Sequence, residues 1–491
     1  MTALVWYRND LRVRDHQGLS AAMGSKQPVR AVYLLSPGQW DRHQVAPIRR
    51  WYVLASLREL GETLGKLGIA LDILPCDTFD EAPQALAAYC RTHQIKALYC
   101  TREYPLNEIR RDRAVADTLQ PLGIALQGYD DAVVVPPRSL KTGQGTPYTV
   151  FTPYRRRWDA LLAEAPPNMP TAPRKPAGSA PVAFDSRLLD QHEKLLGLPE
   201  TLTDLWQPGE KAAYQQLTHF VSDRLAHYRR DRDFPALPGT SLLSTALSAG
   251  TISPARCVTL ARTVQRDGGK EGATTWLSEI AWRDFYRQIM ANFPHLAWGA
   301  PFRPETGFVQ WSRDEALFQA WCEGRTGYPL VDAAMRQLNS TGWMHNRLRM
   351  VSAMFLSKNL FIDWRWGESY FMQQLMDGDF AANNGGWQWS ASTGTDAAPY
   401  FRVFSPVRQS ERFDPDGTFI RSQIRELRDV QGKQIHQPWK APLLATEYPA
   451  PVVSLEGVRD RVTAAFKAAK HIYDSAGHDS AGHGSGPQRD K

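Results

Sequence analysis

Residues 375–402 read LMDGDFAANNGGWQWSASTGTDAAPYFR, and this stretch decides how the chain is interpreted. Two aspartates, Asp377 and Asp379, precede a double asparagine, a double glycine and the triplet Trp-Gln-Trp. A core helix normally carries leucine where this segment carries polar residues and glycine. Such a departure usually serves a function. If the segment is helical, Trp387 and Trp389 lie about 200° apart, because each residue advances about 100°. One ring can then face inward while the other faces a cavity.

Three further segments mix aromatic and polar residues in the same way: WLSEIAWRDFYR (276–287), GWMHNRLRM (342–350) and DWRWGESYF (363–371). In the first, Glu279, Trp282 and Tyr286 fall at i, i+3 and i+7 and share one helical face. A carboxylate beside a tryptophan suits a flat ligand with polar edges, such as a nucleobase. A core tryptophan beside a solvated glutamate gives the same pattern, so these residues alone leave both interpretations open.

The segment GWMHNRLRM places Asn346 and Met350 on one helical face with Arg349 beside it, so an amide, a thioether and a guanidinium project together. A structural asparagine and a surface arginine also explain this trio. The tryptophan distribution is more informative, since ten of the sixteen lie between Trp276 and Trp389. Large cores are built from leucine and valine, so this concentration needs an explanation of its own.

The first third of the chain alternates short apolar runs with amphipathic stretches, as doubly wound α/β domains do. The predicted parallel strands are Leu4–Tyr7, Val29–Leu35, Leu71–Leu74, Ala97–Cys100 and Ile124–Gln127. The predicted helices between them are Arg49–Leu67, Glu81–His93 and Asn107–Leu119. This is a Rossmann-like pattern, but the first strand continues into WYRNDLRVRD and lacks a glycine-rich phosphate loop. We therefore expect no conventional dinucleotide site there.

Composition divides the rest of the chain. Residues 165–183 read APPNMPTAPRKPAGSAPVA, which cannot bury enough apolar surface to fold alone and predicts a linker. From 205 to about 440, apolar residues recur with a 3.6-residue period, which predicts an almost wholly helical domain. The end, DSAGHDSAGHGSGPQRDK, is a polar repeat that we expect to be disordered, with solvated histidines. The predicted divisions are an α/β domain (1–135), a linker (136–204), an all-α domain (205–445) and a tail (446–491).

Charge, cysteines and hydropathy narrow the class of protein. The formal net charge of +7 favours a polyanionic partner without identifying one. Five widely spaced cysteines contain no C-x-x-C pair, so we expect buried thiols and no metal site. The common motifs of zinc proteases, P-loop enzymes and serine hydrolases do not occur. The sequence offers no apolar run that could span a bilayer and no signal-peptide core, so we expect a cytoplasmic protein.

These segments resemble the photolyase/cryptochrome family, and most closely its bacterial class I cyclobutane pyrimidine dimer photolyases. The resemblance also includes WYRNDLRVRDHQGL (6–19) and RRDRDFPALPGTSLLS (229–244), and it runs from about residue 3 to about residue 445. It implies an antenna domain followed by an FAD-binding helical domain. It also implies light-driven repair of DNA, by electron transfer from excited reduced FAD to a flipped-out dimer.

The resemblance further implies which residues hold a U-shaped FAD. Its phosphates and ribityl chain would contact Tyr228, Thr240, Ser241, Leu242, Leu243 and Ser244. The rest of the cofactor would be framed by Trp276, Arg283, Trp343, Arg349, Asp377 and Asp379, with Asn383 facing the flavin N5. Hydroxyls and backbone N–H groups near a helix start suit a pyrophosphate. Leu242 stands where related enzymes can carry arginine, so one phosphate contact is expected to be missing.

On the substrate side, the resemblance implies a pocket for a dinucleotide rotated out of the duplex. The implied catalytic residues are Glu279, Trp282, Asn346, Met350, Asn383 and Trp389. Trp282 and Trp389 would wedge the apolar face of the dimer, while carboxylate and amide groups bond its polar edges. The residues implied to contact DNA are Arg232, Glu279, Trp282, Tyr286, Asn346, Arg347 and Gln409.

Two further sets of residues match functional positions of the family. The chain of tryptophans that carries an electron from the surface to oxidised FAD matches Trp387, Trp364 and Trp311. The residues that hold a folate antenna match His43, Asn107 and Glu108. We therefore expect 5,10-methenyltetrahydrofolate as antenna, with 8-hydroxy-deazaflavin as the alternative. Trp298 stands where related enzymes can carry a lysine near the glutamyl tail, so we expect the folate to be held weakly.

Two other functions compete with repair: a cryptochrome that senses blue light, and a flavoprotein oxidoreductase. Asn346 favours cyclobutane dimers over the six-four photoproduct, whose photolyases place a histidine pair near this position. The presence of both Trp282 and Trp389 favours repair over sensing, since sensors often lose one of them. Nothing resembles a nicotinamide site. We expect UV-damaged DNA as the partner of a monomer that needs no membrane and no obligate protein partner.

Overall fold

The N-terminal part of the chain forms a parallel five-stranded sheet. In the computed structural model, which describes residues 2–175, 178–266, 268–441, 443 and 447–477, the strands are β1 (Thr2–Tyr7), β2 (Val29–Leu35), β3 (Ala70–Pro75), β4 (Ile95–Thr101) and β5 (Ala125–Tyr129). Their order is β3-β2-β1-β4-β5, and all neighbours are parallel. The helices of this domain are α1 (Gln17–Gly24), α2 (Pro37–Arg42), α3 (Pro47–Lys66), α4 (Ala82–Thr92) and α5 (Leu106–Leu119). The predicted Rossmann-like class is confirmed.

Strand β1 shows why this sheet is covered on both faces. Val5 and Tyr7 are buried in one apolar cluster, and Leu4 and Trp6 are buried in another. Successive side chains of a strand point to opposite faces, so an unbroken apolar run is what a doubly covered strand requires.

The segment between the two domains contains helices where the composition predicted a linker: α6 (Phe151–Glu164), α7 (Arg187–Leu196) and α8 (Glu200–Thr203). Helix α6 buries Tyr154 and Trp158 in a core of the helical domain, whereas α7 packs on α3 of the α/β domain. The predicted linker, residues 136–204, thus contains three helices within its described residues. Residues 165–175, within the proline-rich stretch, have no regular secondary structure.

The second domain is helical, as predicted. Its helices are α9 (Glu210–Asp223), α10 (Tyr228–Asp231), α11 (Ser244–Ala249), α12 (Pro254–Arg266), α13 (Lys270–Asn292), α14 (Glu315–Cys322), α15 (Pro329–Thr341), α16 (Asn346–Met354), α17 (Trp364–Gln374), α18 (Phe380–Ala391), α19 (Pro406–Phe413), α20 (Thr418–Gln423) and α21 (Val458–Ser475). A π-helical segment, Phe355–Leu360, follows α16 directly. Short 3-10 turns cover Phe79–Glu81, Gln120–Leu122, Leu225–His227, Pro294–Trp298, Pro304–Phe308, Arg425–Leu427, Gly432–His436 and Pro438–Lys440. None of the helices within the described ranges is long and apolar enough to cross a membrane.

Helix α21 lies inside the segment that the sequence analysis assigned to a tail. Its residues Val462 and Phe466 are buried against Val309 and Phe361. The tail is therefore helical and packed from residue 458 to residue 475, which corrects that assignment. The two histidines of the terminal repeat lie outside the described residues.

The loop after β1 connects the two domains through hydrogen bonds and an ion pair. Arg12 donates to the carbonyl oxygen of Gly250 at 3.0 Å, and Arg256 donates to Asp15 at 2.9 Å. Glu210 accepts from two backbone N–H groups of this loop, at 2.8 and 2.9 Å. The charged sequence after β1 thus forms contacts with the helical domain. All five cysteines are free and buried, as expected.

Candidate functional site

Helices α13 and α18 cross where the unusual sequence 375–402 begins its helix, and glycines allow that approach. A Cβ atom on Gly385 would lie 2.1 Å from Cδ1 of Tyr286, and one on Gly367 of α17 would lie 2.0 Å from Cη2 of Trp387. Neither position can carry a side chain without displacing an aromatic ring. Gly385 therefore allows α18 to lie against α13, which brings the polar residues of both helices together.

The turn that carries the predicted phosphate contacts ends at the start of α11. Leu242 lies in the left-handed region with φ 55°, and the helix begins at Ser244 without a side-chain cap. Ser244 is exposed and Ser241 half-buried, so their hydroxyls are accessible. The hydroxyl oxygen of Thr245 is buried without a hydrogen-bond partner within the described residues. Uncapped N–H groups with nearby hydroxyls are a suitable environment for phosphate.

Aromatic residues form the wall behind this turn. Tyr228 and Trp276 are buried, and the ring of Phe220 lies between them at 5.8 and 5.1 Å. Leu243 is buried in the same cluster. Trp343 and Thr240 are half-buried at other points of the predicted cofactor site. The structure therefore gives this set one apolar wall and one polar turn.

The predicted charged residues form two ion pairs. Arg349 donates to Asp377 at 2.8 Å, and Arg287 is hydrogen-bonded to Asp379. Burial raises the pKa of Asp379, but Arg287 and Arg283 outweigh that effect and hold this pKa below its ordinary value. Burial, with Arg287 nearby, lowers the pKa of Arg283 to about 9. An anion that binds beside Arg283 therefore stabilises the charged form of its guanidinium.

Asn383 is held by the backbone of α17. Its side-chain amide donates to the carbonyl oxygen of Glu368 at 2.9 Å, and the next residue, Asn384, donates to the Glu368 carboxyl at 2.9 Å. Burial raises the pKa of Glu368 to about 7. The orientation of Asn383 is therefore fixed before any ligand binds.

The residues at this site fit FAD. Its diphosphate matches the hydroxyls, free N–H groups and guanidinium groups described above, and its flat rings match the buried aromatic wall. The amide of Asn383 can bond a heteroatom of a flavin ring. The donor set thus has the chemistry that the cofactor needs.

Three of the residues predicted to contact DNA, Glu279, Arg232 and Arg347, belong to one ion-pair network. Glu279 is hydrogen-bonded to Arg232, and Arg232 approaches Asp233 at 3.6 Å. Asp233 in turn accepts from Arg347 at 2.8 Å. Burial raises the pKa of Glu279, although Arg232 opposes the change. This ion-pair network joins α13 to the start of α16.

Asn346 is the first residue of α16 and is exposed, with its amide nitrogen 4.0 Å from the sulfur of Met350. That distance confirms their shared helical face. Trp389 is half-buried on α18, whereas Trp387 is buried, as the spacing predicted. Gln409, on α19, has a buried side-chain oxygen without a partner among the described residues.

Trp282 stacks on Phe151 with ring centroids 3.7 Å apart and planes 8° apart. The ring of Tyr286 lies 5.4 Å away on the same helix. Phe151 is the first residue of α6, and its backbone N–H donates to Asp396 at 3.1 Å. One face of the Trp282 indole is therefore covered by a ring from a distant part of the sequence.

The three predicted electron-transfer tryptophans lie in one apolar cluster. Trp387 and Trp364 are buried there, and Trp311 packs against it from a half-buried position. The indole nitrogens of Trp364 and Trp387 have no hydrogen-bond partner within the described ranges. Trp311 contacts Phe361 at 5.0 Å and Phe466 of α21 at 6.0 Å. The set thus extends from the interior toward the surface.

The predicted antenna residues line a cavity of about 420 Å³ between the domains. Nε2 of His43 accepts from the side-chain amide of Asn107 at 3.0 Å, and Nδ1 of the same ring lies 3.8 Å from Glu108. The second carboxyl oxygen of Glu108 is buried without a partner among the described residues. Burial and the charge of Glu103 raise the pKa of Glu108 to about 7.

The deeper part of this cavity is filled by side chains. The guanidiniums of Arg8 and Arg111 lie over the ring of Trp6, at 4.4 and 4.7 Å from its centroid. Arg111 is also bonded to Glu103 at 2.8 Å. This packing lies at the carboxyl end of β1, where doubly wound sheets usually bind ligands.

Several residues of the site were not predicted from the sequence: Phe151, Asp233, Arg287 and Glu368. Arg287 follows Arg283 by four residues on a helix, so a second guanidinium on that face could have been found by spacing. Phe151 and Asp233 carried no local signal, because their partners lie far away in the sequence.

Comparison with known proteins identifies the family. Residues 3–173 match the DNA photolyase family, and residues 276–468 match the FAD binding domain of DNA photolyase. The deoxyribodipyrimidine photo-lyase of Escherichia coli is 44% identical over 96% of this chain and 99% of its own, and that of Vibrio cholerae is 43% identical over 95% and 99%.

Solved structures of a photolyase and a cryptochrome are also similar to this chain. A class III photolyase from Agrobacterium tumefaciens has a TM-score of 0.86 at 36% identity, covering 96% of this chain and 98% of its own. A cryptochrome from Synechocystis has a TM-score of 0.79 at 29% identity, covering 94% and 98%. The chain therefore belongs to the DNA photolyase family.

Proposed function

We propose that this chain repairs cyclobutane pyrimidine dimers in DNA with light, as a deoxyribodipyrimidine photo-lyase. The near-full-length identity to photo-lyases carries this conclusion. The exposed Asn346 precedes Arg347, which belongs to the same ion-pair network as Glu279, and this supports the proposal because amide and carboxyl groups can bond the polar edges of two pyrimidines. Reduced FAD, held by the turn at 240–244 and by Arg349, would supply light-driven, reversible electron transfer to the dimer at this site.

In this proposal the protein's own residues bind and orient. Trp282, backed by Phe151, and Trp389 hold the apolar face of a flipped-out dimer, while Glu279 and Asn346 bond its edges. Arg232, Arg347 and Gln409 bind the DNA backbone. The Glu279–Arg232 pair must then open or shift when DNA arrives, which lets one guanidinium exchange a carboxyl for a phosphate.

On the cofactor side, we assign the turn at 240–244 and Arg349 to FAD, with Asn383 beside the flavin N5. Asn383 supports this role because its amide is already fixed by the Glu368 carbonyl. Trp387, Trp364 and Trp311 carry an electron inward when the cofactor is oxidised. Trp387 and Trp364 are buried and Trp311 is half-buried, which supports entry of the electron at Trp311.

We assign the interdomain cavity to a reduced folate. The unpartnered carboxyl oxygen of Glu108 can accept from the amino and ring N–H groups of a pterin. We assign 5,10-methenyltetrahydrofolate rather than the alternative 8-hydroxy-deazaflavin, because a pterin carries the N–H donors that this carboxyl oxygen can accept. We further propose that the protein acts as a monomer in the cytoplasm.

Dimer-containing DNA mixed with the reduced protein under blue light tests the repair assignment. We expect loss of dimers in light and none in darkness. Undamaged DNA of the same sequence serves as the binding control, because flipping costs less at a lesion. Dimers that persist in light, with FAD bound and reduced, would contradict the assignment and favour a sensory role.

A further inference from the structure

A lysine is buried beneath the loop that follows Trp389. Lys358 lies in the π-helical segment Phe355–Leu360 and its side chain is fully buried. Its ammonium donates to the hydroxyl oxygen of Ser392 at 2.7 Å and to the carbonyl oxygen of Tyr400 at 3.1 Å. A buried charge is costly unless its hydrogen bonds are made, and these two bonds go to neutral groups of a single loop.

The two acceptors lie at the two ends of this loop, residues 392–400. Ser392 directly follows α18, and its backbone N–H donates to the carbonyl oxygen of Trp389 at 3.3 Å. The ring of Tyr400 stacks on Phe466 of α21 with centroids 5.5 Å apart, and the Lys358 ammonium lies 4.9 Å from the centroid of that Phe466 ring. One ammonium therefore holds both the start and the end of the 392–400 loop.

The backbone of the 392–400 loop needs such support. Ser392 and Asp396 both lie in the left-handed region, with φ 66° and 44°. Residues other than glycine persist in this region only where surrounding contacts hold them. Lys358 supplies a contact of this kind at the first of the two positions.

The second position connects the loop to the other substrate tryptophan. Asp396 accepts from the backbone N–H of Phe151 at 3.1 Å, and the Phe151 ring stacks on Trp282. The loop thus begins beside Trp389 and supports Trp282 through Asp396 and Phe151. The two indoles assigned to the apolar face of the dimer are held by one loop.

We propose that Lys358 is a positioning residue for dimer binding, which fixes the 392–400 loop and through it the placement of Trp282 and Trp389. The inference rests on the repair function proposed above and extends it to a buried residue outside the set assigned to the substrate. Rings that are already in place lose less conformational freedom on binding, so the fixed loop raises the affinity for a flipped-out dimer. Undamaged DNA binds through its phosphates and gains nothing from this placement.

Hydrogen exchange and DNA binding of the FAD-bound protein test this role together. In Lys358→Met we expect the amides of residues 392–400 to exchange roughly tenfold faster in the absence of DNA, because hydrogen bonds from a charged group are lost. The amides of α15 should exchange as in the parent, and the FAD content should not change. The ratio of the affinities for dimer-containing and undamaged DNA should fall roughly three- to tenfold, as expected when one or two side chains must be ordered on binding.

Ser357→Ala is the matched control. It removes a buried hydroxyl from the same π-helical segment, but that hydroxyl donates to the carbonyl oxygen of Ala353 at 2.8 Å and not to the loop. This variant should keep the parental loop exchange and the parental affinity ratio. Ser392→Ala removes one acceptor and keeps the lysine, so it should change both quantities in the same direction but less. It decides the question if Lys358→Met does not fold.

Parental exchange of the 392–400 loop in Lys358→Met would overturn the proposal, and so would faster exchange with an unchanged affinity ratio. Exchange that rises equally in the loop and in α15 would show a general loss of stability and would overturn it too. If the parent itself binds both DNAs equally, the repair function fails and the positioning role fails with it. A discriminating parent with an equally discriminating Lys358→Met variant overturns the positioning role alone.

Discussion

The indole of Trp282 and the ring of Phe151 lie parallel, with centroids 3.7 Å apart. Phe151→Ala removes this support, and a stacked aromatic pair contributes about 0.5–1.5 kcal/mol beyond its buried area. We expect the affinity for dimer-containing DNA to fall roughly two- to twelvefold, with little change in the yield of repair once DNA is bound. Phe151→Tyr keeps the ring and should bind like the parent. If Phe151→Ala binds dimer-containing DNA as tightly as the parent, the stacked Phe151 ring does not contribute to the binding by Trp282.

Glu279→Ala and Asn346→Ala should each slow repair while FAD stays bound. Each change leaves one polar edge of the dimer without a partner, at about 1–3 kcal/mol. Glu271→Ala is a matched control, because it removes an exposed carboxylate from the same helix. The flavin content of each purified protein decides the question: loss of flavin from either variant would move that residue to the cofactor site.

Trp311→Phe should block photoreduction of oxidised FAD, because phenylalanine preserves bulk but is harder to oxidise than tryptophan. Repair should remain near normal when the flavin is reduced chemically. Trp366→Phe, at another half-buried position against the same cluster, should photoreduce like the parent. Photoreduction at the parental rate in Trp311→Phe would show that the electron enters elsewhere.

Folate uptake should weaken as the pH falls. The pKa of Glu108 is raised to about 7, so the carboxylate that accepts from the pterin becomes protonated below that pH. Between pH 8 and pH 6 we expect an affinity loss of about tenfold, from the loss of one ionised group. The Glu108→Gln variant should bind folate weakly, and its affinity should not change with pH. A parental protein with a flat profile would mean that Glu108 does not bond the ring as an anion.

Stability should rise with pH through the range in which Lys358 titrates. Burial lowers the pKa of Lys358 from 10.5 to about 7 in the folded state, and its ammonium donates to Ser392 and to the carbonyl of Tyr400. Between these pH values the unfolded chain binds more protons, so this residue contributes a slope of at most about 1.4 kcal/mol per pH unit.

Urea unfolding of the parent and of Lys358→Met, measured from pH 7 to pH 9.5, isolates this contribution. The methionine variant should show a smaller rise, since its side chain does not titrate. Identical slopes in the two proteins would indicate that Lys358 keeps its charge throughout.

The sequence predicted the sheet and the four polar-aromatic segments because their signals are local. Strand patterns need only neighbouring residues, and the Glu279–Tyr286 face needs only helical spacing. The stacking of Phe151 on Trp282 and the Arg347–Asp233 pair depend on how distant helices pack, which composition does not encode. Neither contact can therefore be predicted from local sequence patterns.

Helix α21 shows a different kind of failure. Val458, Val462 and Phe466 recur every four residues, so an amphipathic helix could have been predicted there. The predicted helical domain ended instead at about residue 445, where the family resemblance ends.

The cavity between the domains has one wall in each of them. The affinity of a ligand in this cavity therefore depends on how favourably the two domains dock. A molecule that binds only when both walls are in place stabilises the docked arrangement by mass action, and more so as its concentration rises. The reverse holds equally: any change at the loop after β1, such as loss of the Arg256–Asp15 pair, should weaken ligand binding without touching the cavity. Ligand binding in this cavity and the docking of the two domains are therefore thermodynamically coupled in this protein.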